Sequence, residues 1–483
     1  MGVNFDAAAR EILGGGETQP PEDPSHGLGP DSCFEWILPR RVDVQYSDVP
    51  PARHRVPRRF LALLAVVPML ALAACNGATA QKAGVTGPPK AKISITPKDG
   101  TEGWRTDHPV EVEVSHGKLR SVTVTSQNKD EDGGRAEGSF NKQHTKWTTT
   151  WPLHVDTRYT VKAVAVNASG KKSTKKATFT TPQPERTVKI DKINAGQGKT
   201  YGVGLPIVIR FTAPIYNKKR VERAMEVRTS EPIVGSWYWM DRRTLHFRPK
   251  EHWPTGTKVH LIAHMNGVRA AEGVYGVDNL WTKFSIGEEH TTEIDVDAHE
   301  MKVYEGEELV KTFPISAGKP SSPTPGGTYV AFLRQRETRM QPVGVEPGEP
   351  GYYDLVLPWT VKFTHNGIYT HGYEDTVPVQ GEQNVSHGCV NMAPEDAEWY
   401  YNFTNIGDII TVEGSSVDPQ WGNGWTDWEK SFDEYLEGSA TGKPVVTYTM
   451  DGEPRSEAQV TGSQQPTQQP SQQPSRQPAP SRS

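Results

Sequence analysis

The sequence predicts a mainly β protein, with two tandem β-sandwich modules followed by a third β-rich domain that carries one short helix. With 45 Gly and 39 Pro among 483 residues, short strands joined by many turns are favoured over long helices. Apolar and polar residues alternate with period two in one run after another, the pattern of strands that bury a single face. A chain of this length exceeds what one core can hold, so roughly two to four domains are expected.

The formal net charge of −5 is modest, and no basic stripe interleaved with aromatics occurs, which sets nucleic acid aside as a partner. Residues 1–74 read as a leader. Arg53, Arg55, Arg58 and Arg59 precede the apolar run from Phe60 to Ala74, the arrangement of a secretory signal, too short and too interrupted by Pro68 for a membrane span. The run ends in Leu72-Ala-Ala-Cys75, which resembles the lipobox of bacterial lipoproteins; that resemblance implies cleavage before Cys75 and a lipid on its thiol and new amino terminus. An ordinary signal peptide cleaved near a cysteine is the plainer alternative. Translation starting at Val56 would bring the basic patch to the amino terminus, where such signals keep it. Cys33 would then leave with the leader, Cys75 would carry lipid, and Cys389 would stand alone, as a thiol kept for its reactivity.

Residues 75–90 are a flexible tether with a span of roughly 20 Å. The first module, residues 91–184, holds the runs Val110–Val114, Val122–Val124 and Tyr159–Val166. Leu153 followed by Tyr159 resembles the tyrosine-corner region of immunoglobulin-like domains, with another small β-sandwich as the alternative. The second module, residues 185–287, is of the same kind, with strands at Ile207–Phe211, Ser236–Trp239, Leu245–Pro249 and Thr257–Leu261. Trp237, Trp239 and Trp253 read as core or inter-domain packing rather than a carbohydrate platform. Neither module shows chemistry of its own.

The third domain, residues 288–414, opens with alternating runs from Glu293 and closes on Asp408–Val412. Its helix begins at Pro394, with Glu395 and Asp396 favouring the amino-terminal dipole and Gly407 expected to close it. Residues 415–440 form a Trp-rich subdomain in which Trp421, Trp425, Trp428 and Phe432 recur about a turn apart, suited to packing more than to a mobile binding surface. Residues 441–483 are assigned to a disordered tail, mostly Gln, Pro and Ser from Thr461 onward.

Chemistry concentrates in Ile368-Tyr-Thr-His371-Gly372 and Ser386-His387-Gly388-Cys389-Val390-Asn391, joined by the stretch Tyr373–Val385. A thiol held as thiolate is a strong nucleophile, which requires a nearby imidazole or amide dipoles to lower its pKa. His387, two residues away, shares a face with Cys389 but is poorly placed for in-line proton transfer, so His371 is the better base. Gly388 would free its backbone to turn amides toward a developing oxyanion, where one donor is worth about 2.7–4 kcal/mol of barrier.

This histidine, the spacing, and the Ser-His-Gly-Cys-hydrophobic-Asn run resemble the L,D-transpeptidase catalytic domain of YkuD type, as does the upstream segment Thr324-Pro-Gly-Gly-Thr-Tyr329. The order of lipid anchor, two immunoglobulin-like modules, catalytic domain and Trp-rich end is similar to actinobacterial lipoprotein members. The resemblance implies Cys389 as the acyl-accepting nucleophile, His371 as general base, and the carbonyl of Gly372, where some relatives have Ser, as the group orienting the imidazole. It further implies that Ser386, His387 and Asn391 shape the pocket and hold substrate. Tyr353 would assist the oxyanion, with Tyr352 adjacent in register, and Met340 would belong to a substrate-covering flap. The implied reaction attacks the third residue of a peptidoglycan stem, expels D-alanine, and passes the acyl group to a neighbouring stem's amine as a 3-3 cross-link. Water as acceptor would make it a carboxypeptidase. Carbapenems would acylate Cys389, and the enzyme would face the cell wall from the outer side of the membrane.

A metal site built from His371, His387 and Cys389 lacks a fourth ligand at familiar spacing, so neither metal nor cofactor is expected. A lone cysteine is more often a small buried apolar residue, and only the surrounding motif reverses that reading. The rival from another class is an inactive lipoprotein that binds wall polymer or a partner.

Overall fold

The computed structural model describes residues 87–127, 134–342 and 344–455. The leader, Cys75, most of the tether and the residues after Arg455 lie outside the described residues.

The protein is mainly β. In the first module, strands Lys92–Thr96, Glu111–Ser115, Lys146–Thr149 and Gly138–Phe140 form one sheet, with Lys118–Ser126, Arg158–Val166 and Lys172–Thr180 in the other. Alternation works as the period-two pattern requires: Val112 and Val114 turn into the core while Glu113 faces solvent. Tyr159 is buried, and its hydroxyl accepts the backbone N–H of His154 at 2.9 Å, a corner contact of the kind its spacing from Leu153 suggests.

The second module packs a sheet containing Ile207–Phe211, Val234–Trp239 and Thr244–Pro249 against one containing Met225–Thr229, Lys258–Ala263 and Leu280–Ile286. Trp237, Trp239 and Trp253 belong to its core, and the Trp253 ring N–H donates to the Leu205 carbonyl at 2.7 Å.

The end of the chain corrects one expectation. Residues 441–455 are not part of a disordered tail: strand Val445–Val446 pairs with Val234 and Gly235, at the edge of the second module's sheet. Thr447 is fully buried, its hydroxyl 2.6 Å from that of Thr229. Averaging over the polar tail hides this short run, whose stability comes from a partner strand some two hundred residues away. The Trp-rich stretch before it forms no continuous helix, only a 3-10 turn at Asp427–Glu429 and a short helix at Phe432–Leu436. Its Trp428 ring N–H donates to Gly204 O at 2.7 Å, and Asp427, buried, lies 2.8 Å from His246 Nδ1.

In the third domain, one sheet runs in the order Glu308–Pro314, Glu300–Glu305, His290–Asp295, Ile409–Glu413, Gly327–Val330. The other runs Leu333–Met340, Leu355–Lys362, Tyr369–Gly372, Val390–Met392. Helix Pro394–Phe403 starts as its first-turn proline and acids predict and buries Ala397 and Tyr400, with Tyr400 Oη 3.0 Å from Thr292 Oγ1. It ends at Phe403, before Gly407. That glycine serves the domain junction instead: at φ +103°, a Cβ there would come within 2.7 Å of the Gly202 nitrogen, and its carbonyl accepts the Gly204 N–H at 2.8 Å.

Candidate active site

Strand Tyr369–Gly372, rich in aromatic and β-branched residues, is buried between Leu355–Lys362 and the short strand Val390–Met392. The latter pairing is parallel and sets His371 opposite Asn391 and Thr370 opposite Val390. Cys389 immediately precedes the strand Val390–Met392, at the end where Val390 lies beside Thr370, the neighbour of His371.

His371 is 2% exposed, and its Nδ1 lies 3.2 Å from the Gly372 carbonyl. With the Nδ1 proton donated there, Nε2 is the nitrogen free to accept a proton. Burial pushes the imidazole down to about 4, opposed by the Gly372 carbonyl. Cys389 is partly exposed, and its thiol meets the Gly367 carbonyl at 3.6 Å. Burial pushes it up to about 11, against the Tyr369 amide and the Lys362 charge. Burial thus favours the neutral form of both groups over the thiolate expected from the sequence. The reason is that the pair is desolvated, and desolvation penalises the charged form of each partner.

The loop carrying the thiol is held from inside. Ser386 Oγ accepts the Gly388 N–H at 3.0 Å and donates to the Cys389 carbonyl at 2.6 Å. Gly388 adopts φ +124°, which is why this position suits glycine. Its amide is thus occupied, so the oxyanion role expected of Gly388 is corrected to a conformational one. Thr324 Oγ1, fully buried, accepts the Gly318 N–H at 2.9 Å and donates to the Gly388 carbonyl at 2.7 Å. The Thr-Pro segment singled out in the sequence therefore braces the nucleophile loop from beneath.

Tyr353 is half-buried, its ring centroid 5.3 Å from that of His387. Burial, and then interaction with Cys389 when that group is charged, raise its pKa. Tyr352 instead accepts the Gln341 side-chain N–H at 3.3 Å, so Tyr353 is the tyrosine of the pair that meets the site. Asn391 is buried and exchanges backbone hydrogen bonds of 2.9 and 3.1 Å with Ser316. Met340 ends the outermost strand, opposite Leu355, with two strands between it and Val390–Met392, so the sheet does not bring it beside the thiol.

Lys319 and Ser322 were not signalled by any motif. Lys319 Nζ lies 2.8 Å from His387 Nε2, and Ser322 Oγ donates to the His387 carbonyl at 2.9 Å. Burial and the Lys319 charge lower the pKa of His387.

Comparison with known proteins identifies both parts of the chain. Residues 289–412 match the L,D-transpeptidase catalytic domain, and residues 101–269 match a bacterial Ig domain, across both modules. L,D-transpeptidase 2 of Mycobacterium tuberculosis is 33% identical over 355 residues, 73% of this chain and 85% of that protein. L,D-transpeptidase 5 of the same species is 31% identical over 422 residues, 84% and 90% of the two chains. The solved structure of LD transpeptidase LdtMt1 in complex with imipenem is 30% identical, covers 48% of this chain and 100% of its own, and has a TM-score of 0.41. With a relative of this identity matched over most of its length, the chain belongs to the L,D-transpeptidase family.

Proposed function

We propose that this protein forms 3-3 peptidoglycan cross-links through a thioester on Cys389. The observation that carries the reading is the parallel pairing that sets the strand bearing His371 beside the strand that Cys389 leads into, with Nδ1 of the imidazole committed to the Gly372 carbonyl. As sulfur attacks the carbonyl carbon of the third stem residue, His371 Nε2 takes the thiol proton. The amide bond to D-alanine then breaks, and that proton goes to the departing amine. A side-chain amine of a second stem attacks the thioester, gives up a proton to His371, and regenerates the thiol. Water in place of the amine yields hydrolysis. Because Gly388 spends its N–H on Ser386, the amide of Cys389 and the phenol of Tyr353 are the donors assigned to the oxyanion. His387 and Asn391 line the substrate side. A carbapenem opens its strained ring on the same thiol by the same attack.

The membrane-facing half of the proposal rests on sequence alone: lipidation of Cys75 would hold the enzyme on the outer face of the cell membrane, with the sandwich modules as a spacer. Metabolic labelling with a fatty-acid probe tests it, since Cys75→Ala should lose the label.

For the reaction, purified protein is incubated with a disaccharide tetrapeptide and the products weighed by mass spectrometry. D-alanine and cross-linked dimer are expected from the wild type and neither from Cys389→Ala. Equal product profiles would overturn the enzymatic reading.

A further inference from the structure

Lys319 stands half-buried at the mouth of the site, and its ammonium group is paired with a ring nitrogen rather than an acid. Among the described residues no carboxylate lies within ion-pair distance of it, whereas Lys311 meets Asp396 at 3.1 Å. An ammonium has three N–H donors, and His387 Nε2 accepts one at 2.8 Å. The other two suit an incoming anion.

Its position is fixed by the loop that braces the nucleophile. The Lys319 N–H donates to the Ser386 carbonyl at 3.0 Å, the Lys319 carbonyl accepts the Ser322 N–H at 2.8 Å, and the preceding Gly318 is held by Thr324. Tyr353, His387 and Lys319 follow one another, the phenol ring 5.3 Å from the imidazole and the imidazole on the ammonium, with His387 two residues before Cys389 in the chain. A donor stem attacked at Cys389 carries a free carboxylate one residue past the scissile carbonyl, a step of at most about 3.8 Å.

We propose that Lys319 reads the free α-carboxylate of the amino acid expelled from the donor stem. This rests on the acyl-transfer reading above. His387 is then the support that aims the ammonium, rather than a second base.

The test compares kcat/KM for the tetrapeptide stem with that for the same peptide as its carboxy-terminal amide, in wild type, Lys319→Gln and Lys319→Arg. A charge-assisted hydrogen bond predicts that the wild type prefers the acid by about tenfold to a hundredfold, chiefly through KM. Lys319→Gln should bring the two substrates within about threefold, and Lys319→Arg should restore most of the preference. A preference unchanged in Lys319→Gln, in protein with wild-type circular dichroism and Tm, overturns the proposal. So does an altered pH profile with the preference intact, which would leave Lys319 only a partner of His387. A second arm needs no turnover: the ratio of Cys389 alkylation rates by iodoacetate and iodoacetamide should fall severalfold in Lys319→Gln. If no peptide releases D-alanine, the transpeptidase reading falls, and this ratio alone decides whether Lys319 attracts a carboxylate to the thiol.

Discussion

The Cys389 thiol points at the Gly367 carbonyl, 3.6 Å away, in a hairpin whose next residue toward the amino terminus, Asn366, gives its N–H to Asn423 at 2.9 Å. A carbonyl acceptor favours S–H over thiolate, as does burial. Both favour the protonated thiol, which faces a hairpin fastened by the Trp-rich segment; under the proposed reaction, His371 takes the proton during attack.

A neutral pair predicts a particular pH profile. Protonation of His371 removes the base, so kcat/KM should fall as pH drops through about 4 and stay level from about pH 5 upward, toward the thiol's value of about 11. A mechanism that drew on the small ionised fraction of a thiol at about 11, without help from His371, would instead rise tenfold per pH unit across that range. Carbapenem acylation followed by stopped flow between pH 5 and 9 separates the two, and a slope near one would rule out the neutral pair.

Thr324→Val removes the hydroxyl that joins the Gly318 N–H to the Gly388 carbonyl and leaves both buried groups without that partner. A loss of about 1–3 kcal/mol in unfolding free energy is expected, with slower acylation because the nucleophile loop loses its brace. Urea denaturation read beside acylation rates checks both; wild-type values in each would show that Thr324 braces nothing.

Gly388→Ala meets no steric barrier, since the nearest side-chain atom to a Cβ would be Ile368 Cδ1 at 3.5 Å. The cost lies in φ +124°, which an L side chain rarely adopts, and about 1–3 kcal/mol of strain is expected. The loop should relax by turning the Cys389 amide, lowering kcat by tenfold or more with little change in Tm beyond a few degrees. Full activity in this variant would mean that the observed backbone conformation is dispensable.

Asp427 is 1% exposed, with His246 Nδ1 and the Tyr435 hydroxyl each 2.8 Å from Oδ1. Burial opposes its charge, yet His246, the Tyr435 hydroxyl and Arg248 together hold the carboxyl below its ordinary value. Asp427→Asn should cost about 3 kcal/mol, as breaking a buried ionic network does, and should loosen the segment that fastens Asn366. Faster amide hydrogen exchange in residues 363–368, measured by mass spectrometry, is the expected signature. Unchanged exchange there would uncouple the Trp-rich segment from the thiol's hairpin.

The sequence by itself determined what depends on neighbours along the chain. Alternation in Val110–Val114 and Tyr159–Val166 specified strands that bury one face, Pro394 with two acids specified a helix start, and the run around Cys389 with His371 marked the L,D-transpeptidase domain. Tertiary structure decided what depends on solvent exclusion and on distant partners. Lys319 carries no motif and meets His387 only because the chain brings together residues 68 positions apart. The neutral state of the thiol and imidazole, the occupied amide of Gly388, and the return of Val445–Val446 to the second module have the same origin. Desolvation and hydrogen-bond completion are set by whatever packs around a group, and local residue patterns do not encode that packing.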